Sequence, residues 1–388
     1  MSYVLTDITL MGDTQHDQIP VTLVSGYLGS GKTTLVNHVL NDPQGHDVAV
    51  IVNDMGEVNI DAELIADSSG DDGVVDLSNG CICCRLQSDL LTEAKRLAET
   101  RSFDYLLVEA SGISEPIPVA QVFTVGSDES DVDPADYFRL DTTVSVVDAY
   151  GFWKEFDVDE GLPDRMRTPD RPLADVLVDS IEFCDVLLLN KCDMVPDDEL
   201  ARIEAVVREL QPRAEIIRTE YSAVDPSLVL GTGRFDFEQA RREVGWKRHL
   251  ADSHSHGAES ASHDEHDDHD HLSTAERHGI SSTVYRQQRP FHPERLQAWF
   301  DDWSGDIVRA KGFFSLAGRP DTVMGFSQAG PSVQAGPIGA WGDDDPETRL
   351  VFIGTNLDEL SLASELDDCL ATDDELDAGS FDDPFPTT

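Results

Sequence analysis

The octapeptide Gly26-Tyr27-Leu28-Gly29-Ser30-Gly31-Lys32-Thr33 satisfies G-x-x-x-x-G-K-[ST] at every fixed position and constrains the fold more than any other stretch. It follows the apolar run Val21–Ser25 and opens an amphipathic stretch, the strand–loop–helix context that such a loop requires. Glycines let main-chain N–H groups curl around phosphate oxygens, and the helix start adds its positive end. Gly26, Gly29, Ser30, Gly31, Lys32, Thr33 and Thr34 are therefore candidate nucleotide-binding residues. Lys32 is expected to bridge the β and γ phosphates, and the Thr33 hydroxyl to ligate Mg²⁺.

Around this loop the chain alternates short β-branched runs with longer amphipathic ones. The runs are Val21–Ser25, Val48–Asn53, Tyr105–Glu109, Thr143–Asp148, Val186–Asn190 and Glu215–Thr219. Helical stretches at Thr33–Leu40, Leu86–Glu99, Leu173–Ile181 and Glu199–Leu210 separate many of them. This order predicts an α/β fold: a P-loop NTPase domain with a mostly parallel sheet covered by helices on both faces. Residues 249–278 change character. They hold eight of the twelve histidines among Asp, Glu, Ser and Gly, and read as a linker. Strand-like runs at Ser282–Arg286, Phe313–Leu316, Thr322–Phe326 and Arg349–Ile353, with a helix over Pro293–Trp303, predict a small α+β C-terminal domain. The expected organisation is an N-terminal extension (1–18), a P-loop NTPase domain (19–248), the His-rich acidic linker (249–278), the C-terminal domain (279–357) and a loosely held acidic tail (358–388).

Three further strand ends carry chemistry. Leu187-Leu188-Leu189-Asn190-Lys191-Cys192-Asp193 finishes an apolar strand with N-K-x-D. A carboxylate at Asp193 can accept both the N1–H and the exocyclic amine of guanine, whereas adenine offers an acceptor at N1 and would leave it unpaired. Asn190 and Lys191 would buttress the ring and the loop. Tyr105–Glu109 delivers a carboxylate to the metal side of the phosphates: Glu109 is expected to hold Mg²⁺ through water, and the Gly112 N–H to sense the γ phosphate. Lys32, Thr33 and Glu109 are the candidate catalytic residues. Asn53-Asp54-Met55-Gly56-Glu57 ends a strand where a first switch should lie, with Asp54 and Glu57 as candidate ligands.

Charge narrows the partners. With 76 acidic against 28 basic residues the net charge is −48, which repels nucleic acid and anionic membrane. Acidic residues run through the whole chain, so a single acidic tail does not explain them; a cytoplasm of very high salt, hence a halophilic source, does. The start Met1-Ser2-Tyr3-Val4 lacks the pattern of a secretory signal, and no apolar run approaches the ~18 residues needed to cross a bilayer. A cytoplasmic protein is expected, as monomer or homodimer.

Three of the six cysteines fall within four positions, Cys81-Ile82-Cys83-Cys84, just before a helical stretch. If a turn leads into that helix, Cys81 and Cys84 share a face while Cys83 reaches in from the bend. The helix start would favour thiolates. Three thiolates suit Zn²⁺ or Cu(I) far better than Mg²⁺. Three protein ligands leave one position open, which suits handing a metal onward more than locking it in. The fourth donor is Glu57, a His, water or a partner protein. Buried small cysteines and a redox switch are the competing readings. Cys184 and Cys192 read as packing residues, and Cys369 stands alone.

Together these elements resemble the CobW-like GTPases, a family of P-loop proteins that includes metallochaperones. The resemblance is carried by Gly26–Thr34, Asn53–Asp61, Cys81–Cys84, Glu109–Pro116 and Asn190–Asp193, and extends to Thr219-Glu220-Tyr221 and Arg289-Pro290-Phe291-His292-Pro293. Asp54 and Met55 stand where many members carry Glu and Phe. The resemblance implies GTP hydrolysis coupled to delivery of Zn²⁺, or Co²⁺ in some members, to a client metalloprotein. His254, His256, His263, His266, His269 and His271 would raise the local zinc supply, against the plainer reading of a solvated linker. Two rivals stand beside this expectation: a GTPase that assembles or activates a metalloenzyme or serves a cobalamin pathway, and a small-molecule kinase, against which N-K-x-D argues.

Overall fold

The computed structural model describes residues 18–52, 74–76, 85–126, 132–155, 173–236, 279–301, 306–342, 344–355 and 357–387. Among the described residues seven strands form the first sheet: β1 (Ile19–Gly26), β2 (Val48–Val52), β3 (Val74–Asp76), β4 (Tyr105–Glu109), β5 (Phe138–Asp148), β6 (Val186–Asn190) and β7 (Glu215–Arg218). Their order is β3-β2-β4-β1-β5-β6-β7, and every pairing is parallel. Side chains of a strand alternate between faces, so an apolar run in a parallel sheet must be covered twice. In β6, Val186 and Leu188 join Leu35, Val36 and Val39 of α1 (Lys32–Asn41) on one face. Leu187 and Leu189 turn to the other, where α4 (Leu173–Glu182) and α5 (Asp197–Leu210) bring Leu177, Ile181, Ile203 and Val206. Further along that second face, Leu23 and Val108 meet Leu91, Ala94 and Leu97 of α2 (Arg85–Thr100) and Val119 and Val122 of α3 (Pro116–Val122).

A second sheet is antiparallel, in the order β11-β10-β9-β12-β8. Its strands are β8 (Ile280–Gln287), β9 (Ile307–Phe314), β10 (Thr322–Ala329), β11 (Ser332–Ala340) and β12 (Thr348–Thr355). One face receives α6 (Pro293–Asp301) and α7 (Glu359–Asp368), with Leu296, Phe300, Leu362 and Leu366 packed on Phe314, Phe326 and Phe352. The opposite face adds Ile280, Val308, Ala329 and Ile353 to the cluster built by α4 and α5. The two sheets therefore share one apolar core through those helices, which fastens them more firmly than a polar interdomain contact would.

Polar groups are placed at that junction on one side of α4. Arg309 on β9, only 2% exposed, meets Glu182 (3.0 Å) and Asp179 (3.6 Å). Ser332 Oγ and Gln334 Nε2 of β11 donate to Asp175 Oδ2 at 2.8 and 3.3 Å. Burial alone opposes charge on Arg309, but the carboxylates of Glu182, Asp179 and Asp175 outweigh it and hold its pKa above the ordinary arginine value.

Several elements differ from the sequence reading. Strand β5 begins at Phe138, β9 at Ile307, and both β11 and α3 were unexpected. The segment expected as a loosely held acidic tail instead forms α7 and α8 (Asp373–Ala378) and packs inward. Leu362, Leu366, Cys369, Ala371 and Phe385 are buried, while its carboxylates face out; Thr372 and Glu375 form a reciprocal cap on α8. The N-terminal extension up to residue 17 and the linker 249–278 lie outside the described residues. Among the described residues no helix is long and apolar enough to cross a membrane.

Candidate functional site

The loop between β1 and α1 folds as its glycines demand. Gly26, Gly29 and Gly31 have φ of 135°, 73° and 113°, values L side chains rarely adopt. Space is equally restrictive at two of them. A Cβ on Gly26 would lie 2.3 Å from the Val146 carbonyl oxygen, and one on Gly31 would lie 2.4 Å from Asn190 Nδ2. Gly31 supplies no side-chain cap to α1, so the first N–H groups of that helix stay available to an anion. Ser30 is buried, and its Oγ has no hydrogen-bond partner among the described residues. Lys32, at the first position of α1, folds back to donate to the Tyr27 carbonyl at 3.2 Å. Thr34 is exposed beside it.

Strand pairing brings the carboxylate to this loop. Val24 of β1 is in register with Glu109 of β4, and Thr33 Oγ1 donates to Glu109 Oε1 at 2.9 Å. A hydroxyl and a carboxylate are hard oxygen donors, the kind Mg²⁺ takes through few protein ligands, so the pair fits that ion. Gly112 lies against the loop: a Cβ there would meet the Leu28 side chain at 2.8 Å and its main-chain nitrogen at 2.9 Å.

The expected base-reading loop lies on the other flank. Asn190, buried at the end of β6, donates from Nδ2 to the Ser30 carbonyl at 2.7 Å. Its Oδ1 accepts from Ser222 N (2.8 Å) and Thr219 Oγ1 (3.2 Å). Ser222 Oγ in turn donates to the Gly31 carbonyl at 2.9 Å, tying the phosphate loop to the segment after β7. Lys191 takes a left-handed φ of 62°, and its Nζ reaches Asp148 Oδ2 at 2.6 Å. The other Asp148 oxygen accepts from the Tyr150 and Gly151 amides at 3.0 and 3.2 Å. Asp193 is exposed. Cys192 Sγ donates to the Leu189 carbonyl at 3.0 Å, and burial pushes its thiol up, as it does for Cys184 inside the core.

Asp148 and Ser222 are members of this network that the sequence reading did not single out. Asp148 was visible only as the end of a strand. Ser222 depends on positive φ values (53° each) at Tyr221 and itself, which nothing in Tyr221-Ser222 announces.

Cys81, Cys83, Cys84, Asp54 and Glu57 lie outside the described residues, as do the linker histidines. The described strands on either side are informative: Val52 of β2 is in register with both Glu109 of β4 and Asp76 of β3. Residues 53 and 77 thus follow directly on strand ends level with Glu109. Among the described residues no group of three or more His, Cys, Asp or Glu side chains is placed to hold a metal ion.

Residues 20–218 match the CobW/HypB/UreG nucleotide-binding domain, and residues 280–370 match the cobalamin synthesis protein CobW C-terminal domain. The chain belongs to the CobW/HypB/UreG family. As a member it is a P-loop GTPase: an α/β nucleotide-binding domain followed by a domain with an antiparallel sheet. Its relatives include the zinc-regulated GTPase metalloprotein activator 1 of Dictyostelium discoideum, 37% identical over 93% of this chain and 81% of that one. The zinc chaperone CobW of Pseudomonas aeruginosa is 28% identical over 91% of this chain and 92% of its own. The zinc chaperone YjiA of Escherichia coli is 27% identical over 88% of this chain and 95% of its own.

Proposed function

We propose that this CobW/HypB/UreG member couples GTP hydrolysis to carriage of zinc, loading it at Cys81, Cys83 and Cys84 and passing it to a client metalloprotein. The observation that carries the reading is the level set by Val52. Strand β2, paired with β4 at Glu109, leads into the switch segment, and strand β3 on its far side leads into the cysteine-bearing segment from the same level. Glu109 touches Thr33 of the phosphate loop. A metal held there shares strand ends with the nucleotide's phosphate side, so each can bias the other. The zinc-named relatives support zinc as the cargo.

In this proposal the glycine loop and the start of α1 cradle the phosphates, Lys32 leaves Tyr27 to neutralise them, and Gly112 abuts the γ position. Asn190, Lys191 and Asp193 orient guanine. Thr33 and Glu109 hold Mg²⁺, which supplies charge stabilisation to the transferring phosphoryl group when bound. Glu57 completes the cargo site.

The test is a zinc titration with a GTP analogue and with GDP, at multimolar potassium chloride, on the parent and on Cys83→Ala/Cys84→Ala. One zinc bound tightly with the GTP analogue, weakly with GDP and not by the variant is expected. Unchanged zinc stoichiometry in the variant refutes carriage. It would favour a GTPase that activates its metalloprotein without carrying metal, a reading that the name of the Dictyostelium relative supports.

A further inference from the structure

Residues 379–387 follow α8, leave it at Gly379 with φ 64°, and run without regular secondary structure. Among the described residues no main-chain ladder joins residues 380–387 to the second sheet. Side chains hold them at three points. Phe385, 5% exposed, sets its ring against Phe300 and Phe314, with centroids 6.1 and 5.9 Å apart. Phe381 lies edge-on to His292 at 5.4 Å and beside Gly318. Between them Arg319 directs Nε to Asp383 Oδ2 at 2.6 Å, Nη2 to the Phe385 carbonyl at 2.7 Å, and Nη1 to the Pro386 carbonyl.

Closing an apolar core needs only the Phe385 ring. Two aromatic contacts four residues apart, with one guanidinium binding a carboxylate between them and two carbonyls at the second, read a sequence as well as fill space. Aromatic anchors seated in pockets and planar arginine forks are how peptide grooves gain specificity. An extended segment whose backbone and side chains are held this way is recognised as a ligand would be.

We propose that this groove, walled by α6, β9 and the turn carrying Arg319, is a peptide-binding site for extended acidic segments of the form Phe-x-Asp-Pro-Phe-Pro. Residues 381–386 occupy it in cis, and a client segment of the same chemistry displaces them. The identity of the partner as a client rests on the delivery reading above; the binding itself does not. Arg319 sets the charge preference, and the Phe300/Phe314 pocket sets the aromatic one.

The probe is a fluorescein-labelled peptide of sequence GSFDDPFPTT, titrated by anisotropy into the full chain and into a variant ending at Gly379. The shortened variant binds it saturably. The full chain binds at least about tenfold more weakly, because the tethered copy competes at high effective concentration. Arg319→Ala in the shortened variant, or peptides with both Asp changed to Lys or both Phe changed to Ala, lose about tenfold or more. Since shortening uncovers apolar surface, full-length Phe385→Ala serves as a second test; it weakens the cis occupant and binds the peptide more tightly than the parent. A variant that still hydrolyses GTP at the parental rate but takes up no peptide at millimolar concentration overturns the proposal. Equal uptake of the lysine-substituted peptide does so too. A full-length dimer that shortening dissolves would assign the groove to a second copy and overturns it as well. The titration needs neither GTP nor metal, so its failure leaves zinc carriage standing, and failure of the cysteine test leaves the groove standing.

Discussion

Replacing Arg309 by methionine removes the cation from the junction of the two sheets while nearly preserving volume. Glu182, 7% exposed, then loses its partner at 3.0 Å, Asp179 loses one at 3.6 Å, and the Ser327 hydroxyl and Gln328 carbonyl each lose a donor at 3.2 Å. Breaking a buried pair from one side typically costs about 3–5 kcal/mol, most of it from the charge left behind. Lys311, whose Nζ lies 3.7 Å from Glu182 and is more exposed, takes up part of that charge, which places the expected loss near the lower bound, about 3 kcal/mol. The double change Arg309→Met/Glu182→Met removes both charges and should return to within about 1 kcal/mol of the parent. Urea unfolding at fixed potassium chloride, followed by tryptophan fluorescence, measures the difference. Amide exchange along β9 and α4 shows whether the junction opens alone. A single-variant loss below about 1 kcal/mol, or a double variant worse than either single one, refutes the reading that Arg309 compensates the carboxylates buried at this junction.

Asp148→Asn removes the charge that anchors Lys191 and should weaken GTP binding by about tenfold, the scale of one charge-assisted hydrogen bond, while ATP binding stays as weak as before; nucleotide competition reads both. Lys32→Ala should cut turnover by about 100-fold or more, read as phosphate release in saturating GTP. In the C-terminal unit, the Arg295 hydrogen bond and the Thr372 amide draw Glu375 down to about 2 from its ordinary value of 4.5. A depressed acid stabilises above the unfolded value and loses that contribution as pH falls through the folded one, so it fades between about pH 4.5 and 2. Urea midpoints taken across that window should lose part of their pH slope in Glu375→Gln.

Much of the nucleotide half is legible from residue order because its constraints are local. Gly26, Gly31 and Lys32 sit at fixed spacing, and Asn190 ends an unbroken apolar strand. What escaped depends on partners distant in sequence. Ser222 and Asp148 acquire meaning only once β5, β6 and β7 lie side by side. Strand β11 contains Gly336 and Pro337, which argue against a strand in sequence, yet it is an edge, where a missing donor is tolerated. Helix α3 opens Pro116-Ile117-Pro118, a pattern that reads as a breaker, although first-turn prolines forfeit no helical bond. The acidic segment after residue 357 hid its few anchoring side chains among carboxylates, so average polarity concealed specific burial.

The core shared by α4, α5 and the antiparallel sheet also decides what can be exchanged between relatives. A chimera that takes residues 279–387 from another member inherits a sheet cut to fit foreign helices, with Arg309 facing whatever stands at positions 175, 179 and 182. The portable unit is therefore not the C-terminal sheet alone but that sheet together with the outward faces of α4 and α5, two stretches separated from it in sequence. Grafts that carry all three should fold, and those cut at the linker should not.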